Sequence, residues 1–580
     1  MEKRHALPFM PTSKKELDHL GWENVDIIIF SGDAYIDHPA FGTAVISRVL
    51  ESAGYRVAVV AQPNWRDDLR DFKKLGKPRL FFGVNSGAMD SMVNHYTAAK
   101  RLRSNDAYTP DGAAGHRPDY AVAVYSKILK KLYPDTPVVI GGVEASLRRF
   151  VHYDYWQDRL LPSILEESGA DYLIYGMGER AVVDLAEYIK KGRKGGYDRL
   201  EKPRQVAWMS HEKPHGDNML ILHPYHQAVA DKKKFLENFN QIELQANMTD
   251  APVMVEEQSC GKYLYVNPPY PLPATEQTDS WYDLPYSKLP HPRYKGKHIP
   301  AYEMIKFSIN THRGCFGGCS FCTIAAHQGK FIQSRSEASI LREVERLKEL
   351  PGFAGNISDV GGPTANMYGM EGKEISLCRR CRRKSCLYPA LCKNLDNSHQ
   401  RLSALYNKIA EVDGISHFYI GSGIRYDLFL DEGGFLNNQG RDFFSSLVRE
   451  HTGGRLKVAP EHTEKHVLDL MNKPGFEIYE RLQYEFFKLT ERYGLNYTIV
   501  PYFISSHPGC RLKDMQKLAS HKSLRKVHLE QVQDFTPTPM TRSSAMFYTG
   551  MDPKTYNPLY VERDMEKKRR QKSYFFNLEK

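Results

Sequence analysis

Three cysteines in the run Thr311-His312-Arg313-Gly314-Cys315-Phe316-Gly317-Gly318-Cys319-Ser320-Phe321-Cys322 stand in the spacing C-x3-C-x2-C. Thiolates this close together can wrap one iron–sulfur cluster, since soft sulfur ligands suit Fe–S, Zn and Cu(I). A complete cubane wants four cysteines, and this loop offers Cys315, Cys319 and Cys322. Three ligands leave one iron open to a substrate or cofactor, as catalytic metal sites keep a position free. Gly317 and Gly318 supply the backbone freedom that a tight wrap round a cluster needs.

A second group, Cys378, Cys381, Cys386 and Cys392, places four thiols within fifteen residues. It implies one metal site, holding either zinc or an auxiliary iron–sulfur cluster. The arginines and lysine between these thiols would offset thiolate charge or meet phosphate. Cys260 and Cys510 stand alone and are expected to be buried structural thiols. Nine cysteines in 580 residues, an odd number and mostly clustered, fit metal ligation in a reducing cytosol better than a disulfide framework.

The C-x3-C-x-F-C pattern resembles the cluster motif of the radical S-adenosylmethionine (SAM) superfamily, and the run Lys306–Cys315 is similar to its YgiQ-like branch. The resemblance implies a [4Fe–4S] cluster on Cys315, Cys319 and Cys322, with SAM on the fourth iron and Phe321 against its adenine. It also implies a reducing partner such as flavodoxin or ferredoxin. Gly361 and Gly362 stand where the family has a G-G-E segment that meets the SAM amino group, although Pro363 replaces the acid. Ser422 and Arg425 are expected to touch ribose and carboxylate, and Glu461 is the acid expected on the SAM side.

The elements that must position these residues fall into two series. Apolar runs at 25–30, 56–61, 80–84, 137–142 and 171–176, with helical patterns between them, predict a doubly wound parallel sheet. Ligands of such sheets lie beyond the strand ends, where Gly32, Gly83, Gly141, Gly142 and Gly176 fall. This order is similar to the cobalamin-binding domain that precedes many radical SAM cores, giving a domain at 1–210. The family's D-x-H-x-x-G cobalamin signature is absent, Asp37-His38-Pro39-Ala40-Phe41-Gly42 having the wrong spacing. The resemblance therefore implies that domain's fold but not its cobalamin. The long polar stretch 86–116 is either functional or an insertion. Residues 211–300, rich in Pro, Tyr and His, are expected to be an irregular linker.

From 301 to 535 the strand pattern at 304–310, 355–360, 417–421, 455–459, 496–504 and 528–533 suits the open (β/α)6 barrel of radical SAM proteins, with 378–392 inserted. In parallel barrels the chemistry gathers at strand C-termini, where the Cys315 loop falls. A C-terminal extension, 536–580, carries alternating Thr and Pro and is expected to end in a disordered basic tail.

The chain carries a net charge of +11 and has a mean hydropathy of −0.53. No apolar run is long enough for a transmembrane helix, and the start lacks the apolar core of a signal peptide, so a cytoplasmic protein is expected. The basic run Lys567–Lys572 is read as a solvated tail, with nucleic acid as the weaker alternative. Two classes of function follow. One is a radical SAM enzyme of unknown substrate; the other is a non-catalytic metalloprotein that carries electrons or binds RNA.

Overall fold

The computed structural model describes residues 8–197, 200–525, 527 and 531–576. It divides into two compact units, Met1–Pro271 with Asp279–Lys306, and Leu272–Thr278 with Phe307–Lys580.

The first unit is built on a nine-stranded sheet. Its strands are β1 (Ile27–Ser31), β2 (Val57–Ala61), β3 (Phe81–Asn85), β4 (Val138–Ile140), β5 (Tyr172–Ile174), β6 (Val206–Ser210), β7 (Met219–Ile221), β8 (Val253–Glu257) and β9 (Tyr263–Val266), in the order β2-β1-β3-β4-β5-β6-β9-β8-β7. The first five strands pair in parallel, Ile27 standing opposite both Val57 and Phe81. Every residue of β1 and β2 is buried, which is why these strands read as unbroken apolar runs.

From β5 onwards the pairing turns antiparallel, except between β8 and β7. Residues 211–300 are therefore not simply a linker: β7, β8 and β9 complete the sheet. The strands are short and partly exposed, so their apolar periodicity is faint in the sequence. Cys260 lies exposed, not buried as expected, because it stands in the turn between β8 and β9, and turns run over the surface.

The polar stretch after β3 is held by buried ion pairs. Arg117 bridges Asp33 at 2.9 Å and Asp106 at 3.0 Å, and Arg148 bridges Asp90 at 2.9 Å and Asp154 at 3.1 Å. A Cβ on Gly32 would stand 2.2 Å from the Ser86 carbonyl oxygen. The loops beyond β1 and β3 thus pack on one another, and glycine permits that approach. Asp37 is fully buried and gripped by Arg48 at 2.6 Å, while His38 accepts the Ala40 N–H on Nδ1.

The second unit carries parallel strands in chain order. They are β10 (Ser308–Asn310), β11 (Asn356–Ile357), β12 (Asp359–Gly361), β13 (His417–Phe418), β14 (Arg455–Glu461), β15 (Thr498–Ser505) and β16 (Gln531–Asp534). β10 pairs with β12, β11 with β13, β14 with β15 and β15 with β16, all in parallel. A parallel bridge from Ile424 to Val458 joins the halves. β11 and β12 are one strand interrupted at Ser358, so six barrel positions result. Of the predicted sixth strand, residues 528–530 lie outside the described residues.

The basic end is not an unstructured tail over its described part: helix α1 (Met565–Phe576) forms there. Lys568, Gln571 and Phe575 are buried, and Gln571 Oε1 accepts hydrogen bonds from the Ser506 N–H and hydroxyl. Lys567, Arg569 and Arg570 face solvent. Few apolar residues mark the buried side, so the helix owes its place to tertiary contacts.

Candidate metal and cofactor site

The cluster loop leaves β10 at its C-terminal end and is shaped by glycines. Gly314 has φ +88°, and a Cβ there would meet the Phe331 carbonyl oxygen at 2.1 Å. Gly318 has φ +62°, and its Cβ would stand 2.6 Å from the Lys384 carbonyl oxygen. Gly318→Ala should therefore cost about 1–3 kcal/mol of local strain. Iron content after anaerobic loading should fall below wild type, while Gly423→Ala, in open space, should load normally; equal loading of both would refute this.

The three thiols of the loop are near enough to feel one another's charge. Burial raises the Cys322 thiol to about 12, and the neighbouring charges of Cys319 and Cys315 push it the same way. The Cys315 thiol is raised chiefly by burial and stabilised as thiolate by Thr364, whose Oγ1 lies 3.5 Å from Sγ. Cys319 Sγ accepts a hydrogen bond from Arg425 Nη1 at 3.2 Å. Three thiolates crowded together repel unless a cation offsets them, so soft donors, mutual repulsion and one adjacent guanidinium fit a metal cluster.

Arg425 is expected from the sequence to meet a carboxylate. Its fork grips Asp427, Nε to Oδ1 at 2.8 Å and Nη2 to Oδ2 at 2.5 Å, and Nη1 donates to Cys319. Its backbone is clamped by Asn366, which accepts the Arg425 N–H and donates to its carbonyl. The Ser422 hydroxyl donates to Asp359 at 2.5 Å, tying the loop after β13 to β12. Gly361 ends β12, and a Cβ on Gly362 would reach 2.6 Å from the His312 ring. The double glycine thus lets His312 pack against the strand end.

His312 carries no recognisable sequence signal, yet it is 1% exposed and links the cluster loop to the Gly362–Thr364 turn. Its Nε2 lies 3.1 Å from the Thr364 carbonyl, which can only accept, so that nitrogen bears the proton and Nδ1 accepts from the Thr311 hydroxyl. Burial lowers its pKa to about 4, keeping the ring neutral.

Phe321 is half-buried, its ring edge-on to His507 at 6.3 Å. His507 Nε2 pairs with the Ser543 hydroxyl at 2.6 Å, and that hydroxyl reaches Ser320 at 2.8 Å. Helix α2 (Arg542–Thr549) of the C-terminal extension thereby pins the cluster loop. Glu461 closes β14 with φ +69° and is 7% exposed; burial raises its pKa, against the pull of Lys473 at 3.7 Å and Arg425.

The second cysteine group abuts the first. Cys386 N–H donates to the Phe316 carbonyl at 3.0 Å, and the Ser385 hydroxyl donates to that of Gly317 at 2.7 Å. Burial raises Cys378 and Cys386, the latter to about 11, and each also feels the charge of its neighbouring thiols. Cys510 is buried beneath His462, as expected of a structural thiol. Among the described residues no helix is long and apolar enough to cross a membrane.

A family profile described as "Radical SAM N-terminal" matches residues 9–308, and a "Domain of unknown function (DUF3362)" matches 530–577. A UPF0313 protein of Porphyromonas gingivalis is 52% identical over 99% of this chain and 91% of its own length. One of Bacteroides thetaiotaomicron is 50% identical over 99% and 95%. Among solved structures, the radical SAM methyltransferase TsrM of Kitasatospora setae, with cobalamin and a [4Fe–4S] cluster bound, aligns over 89% of this chain and 76% of its own. At 16% identity and a TM-score of 0.50, that match speaks for a shared fold. Profile, relatives and fold agree that the chain belongs to the radical SAM superfamily, in its UPF0313 family.

Proposed function

We propose that the protein is a radical SAM enzyme that cleaves SAM reductively and uses the resulting radical to abstract hydrogen from a substrate yet to be found. The observation that carries this reading is the incomplete thiol set: Cys315, Cys319 and Cys322 lie within reach of one another's charge on a loop at a strand C-terminus, with no fourth cysteine in that loop. When bound there, a reduced [4Fe–4S] cluster supplies the electron that splits SAM into methionine and a 5′-deoxyadenosyl radical.

This chain's own residues bind and orient. The three thiolates hold the cluster, and Arg425 offsets their charge through Cys319. Neutral His312 and Thr364 brace the loop against β12, and Ser543 braces it from the C-terminal extension. Phe321 would offer an apolar face to the adenine, and Gly361, Ser422 and Glu461 would meet the polar parts of SAM. A low-potential one-electron donor of the flavodoxin or ferredoxin class supplies the reductant. The chain lacks the D-x-H-x-x-G spacing, and this chemistry does not require cobalamin.

The test is anaerobic loading with iron and sulfide, followed by product analysis with SAM and dithionite. Methionine and 5′-deoxyadenosine should appear in equal amounts, slowly even without substrate. A fully loaded protein that yields neither would favour an electron carrier. Glu461→Gln should weaken SAM binding about tenfold, or roughly 1.4 kcal/mol, and leave the cluster's absorption unchanged. Unaltered affinity in a titration would remove Glu461 from the SAM site.

A further inference from the structure

We infer that Glu464, His466 and Asp514 form a binding site for a divalent cation, built from oxygen and nitrogen donors and not from thiols. One ligand atom from each, two carboxylate oxygens and a ring nitrogen, lie within 4.8 Å of one another. An ion bound at about 2.0–2.2 Å holds neighbouring ligand atoms roughly 3–3.5 Å apart. His466 Nε2 and Asp514 Oδ2, at 3.2 Å, already have that spacing. A side-chain shift of about 1–2 Å completes the set, a movement of the size rotamer changes allow.

The three side chains come from the loops and helices that follow two paired strands. Glu464 stands three residues after the end of β14, directly before helix α3 (Lys465–Met471), which carries His466. Asp514 belongs to helix α4 (Leu512–Ala519), which follows β15. β14 and β15 pair in parallel, so the group lies on the side of the strand C-termini, where parallel barrels gather their chemistry.

Helix capping explains only part of this acidity. Asp514 Oδ2 accepts the Arg511 N–H at 2.8 Å and faces His466. Its Oδ1 accepts no hydrogen bond, although the residue is 1% exposed. A buried carboxylate oxygen without a donor is costly, and a cation held between the three side chains offsets that cost. The Glu464 side chain makes no capping bond to its helix; its Oε2 takes the Lys517 ammonium at 2.8 Å. Lys517 is 62% exposed, so solvent screens this pair and the ammonium can swing aside. Two carboxylates facing one exposed ammonium leave negative charge for a divalent ion to neutralise. Glu464, His466, Asp514 and Lys517 all line a cleft of about 790 Å³, through which an ion and its waters reach them.

Carboxylates and an imidazole suit Mn(II), Fe(II) or Zn(II), whereas thiolates favour softer ions. Mn(II) therefore separates this site from the cysteine groups. The test loads the full chain anaerobically with iron and sulfide, strips loose metal with a chelator, and titrates it with Mn(II), following the room-temperature EPR signal of the free aqueous ion. Wild type should take up one Mn(II) per chain saturably. His466→Ala, a change at an exposed side chain, should raise the Kd at least about tenfold, and Glu464→Gln should do the same. Lys517→Met should lower the Kd, because the ammonium no longer competes for Glu464. No saturable uptake by wild type below about 1 mM Mn(II) would overturn the inference. So would equal affinity in His466→Ala, or weaker binding in Lys517→Met. The readout uses no SAM, so failure here is distinct from failure of the radical reading.

Discussion

Replacing any one of Cys315, Cys319 or Cys322 by Ala lowers 5′-deoxyadenosine formation to background, a loss of at least about 10³-fold, worth some 4 kcal/mol or more in the barrier. The size of the effect follows from ligand count. The loop offers three thiolates, and two cannot hold a cubane with one iron still poised for SAM. Loss at the second cysteine group should behave differently, since Cys378 and Cys381 lie outside the loop. Product should be followed by chromatography in anaerobically loaded protein, with iron content measured on the same samples. Wild-type yield from any of the three variants would show that the thiol concerned is not a cluster ligand.

Arg425→Met is expected to destabilise the second unit by about 3–5 kcal/mol. Arg425 and Asp427 pair with side chains only 8% and 9% exposed, so removing the guanidinium leaves a buried carboxylate without its hydrogen-bonded partner and with only the longer-range charge of Lys473 to offset it among the groups acting on it. The Arg425→Met/Asp427→Asn double variant should recover part of that loss, because the stranded charge is gone. A denaturant melt of wild type, both single variants and the double closes the cycle. The single Arg425 variant should also make the first cluster harder to reduce, since hydrogen bonds to cluster sulfurs help set the potential and Cys319 loses its donor at 3.2 Å. An Arg425→Met melt within about 0.5 kcal/mol of wild type, the range of ordinary surface changes, would show that the pair does not hold the loop.

Glu461 and Arg425 illustrate how far residue type carries an argument. Both stand at strand ends, where their charge invites a ligand role. The structure shows that Arg425 pairs with Asp427 and with the Cys319 thiol, while Glu461 stays buried with Lys473 at 3.7 Å and Arg425 nearby. Residue type invites the same role for both; packing decides which partners each one meets.

What the amino-acid sequence determined by itself was local. The C-x3-C-x2-C spacing sets three thiols within one short loop however the rest folds, and the runs 27–30 and Val57–Ala61 are apolar throughout because both faces are buried. Short-range periodicity of this kind also exposes the alternation of strands and helices that makes the barrel. Long-range pairing decided the rest. β7, β8 and β9 join the first sheet where β9 pairs with β6, Tyr265 standing opposite Trp208, and helix Met565–Phe576 forms over a basic run by burying Gln571 against Ser506. His312, Thr364 and Ser543 carry no motif; the folded chain alone sets them against the cysteine loop. Hydrogen bonds between residues dozens to hundreds of positions apart leave no period in the sequence, and their geometry exists only once the strands have paired.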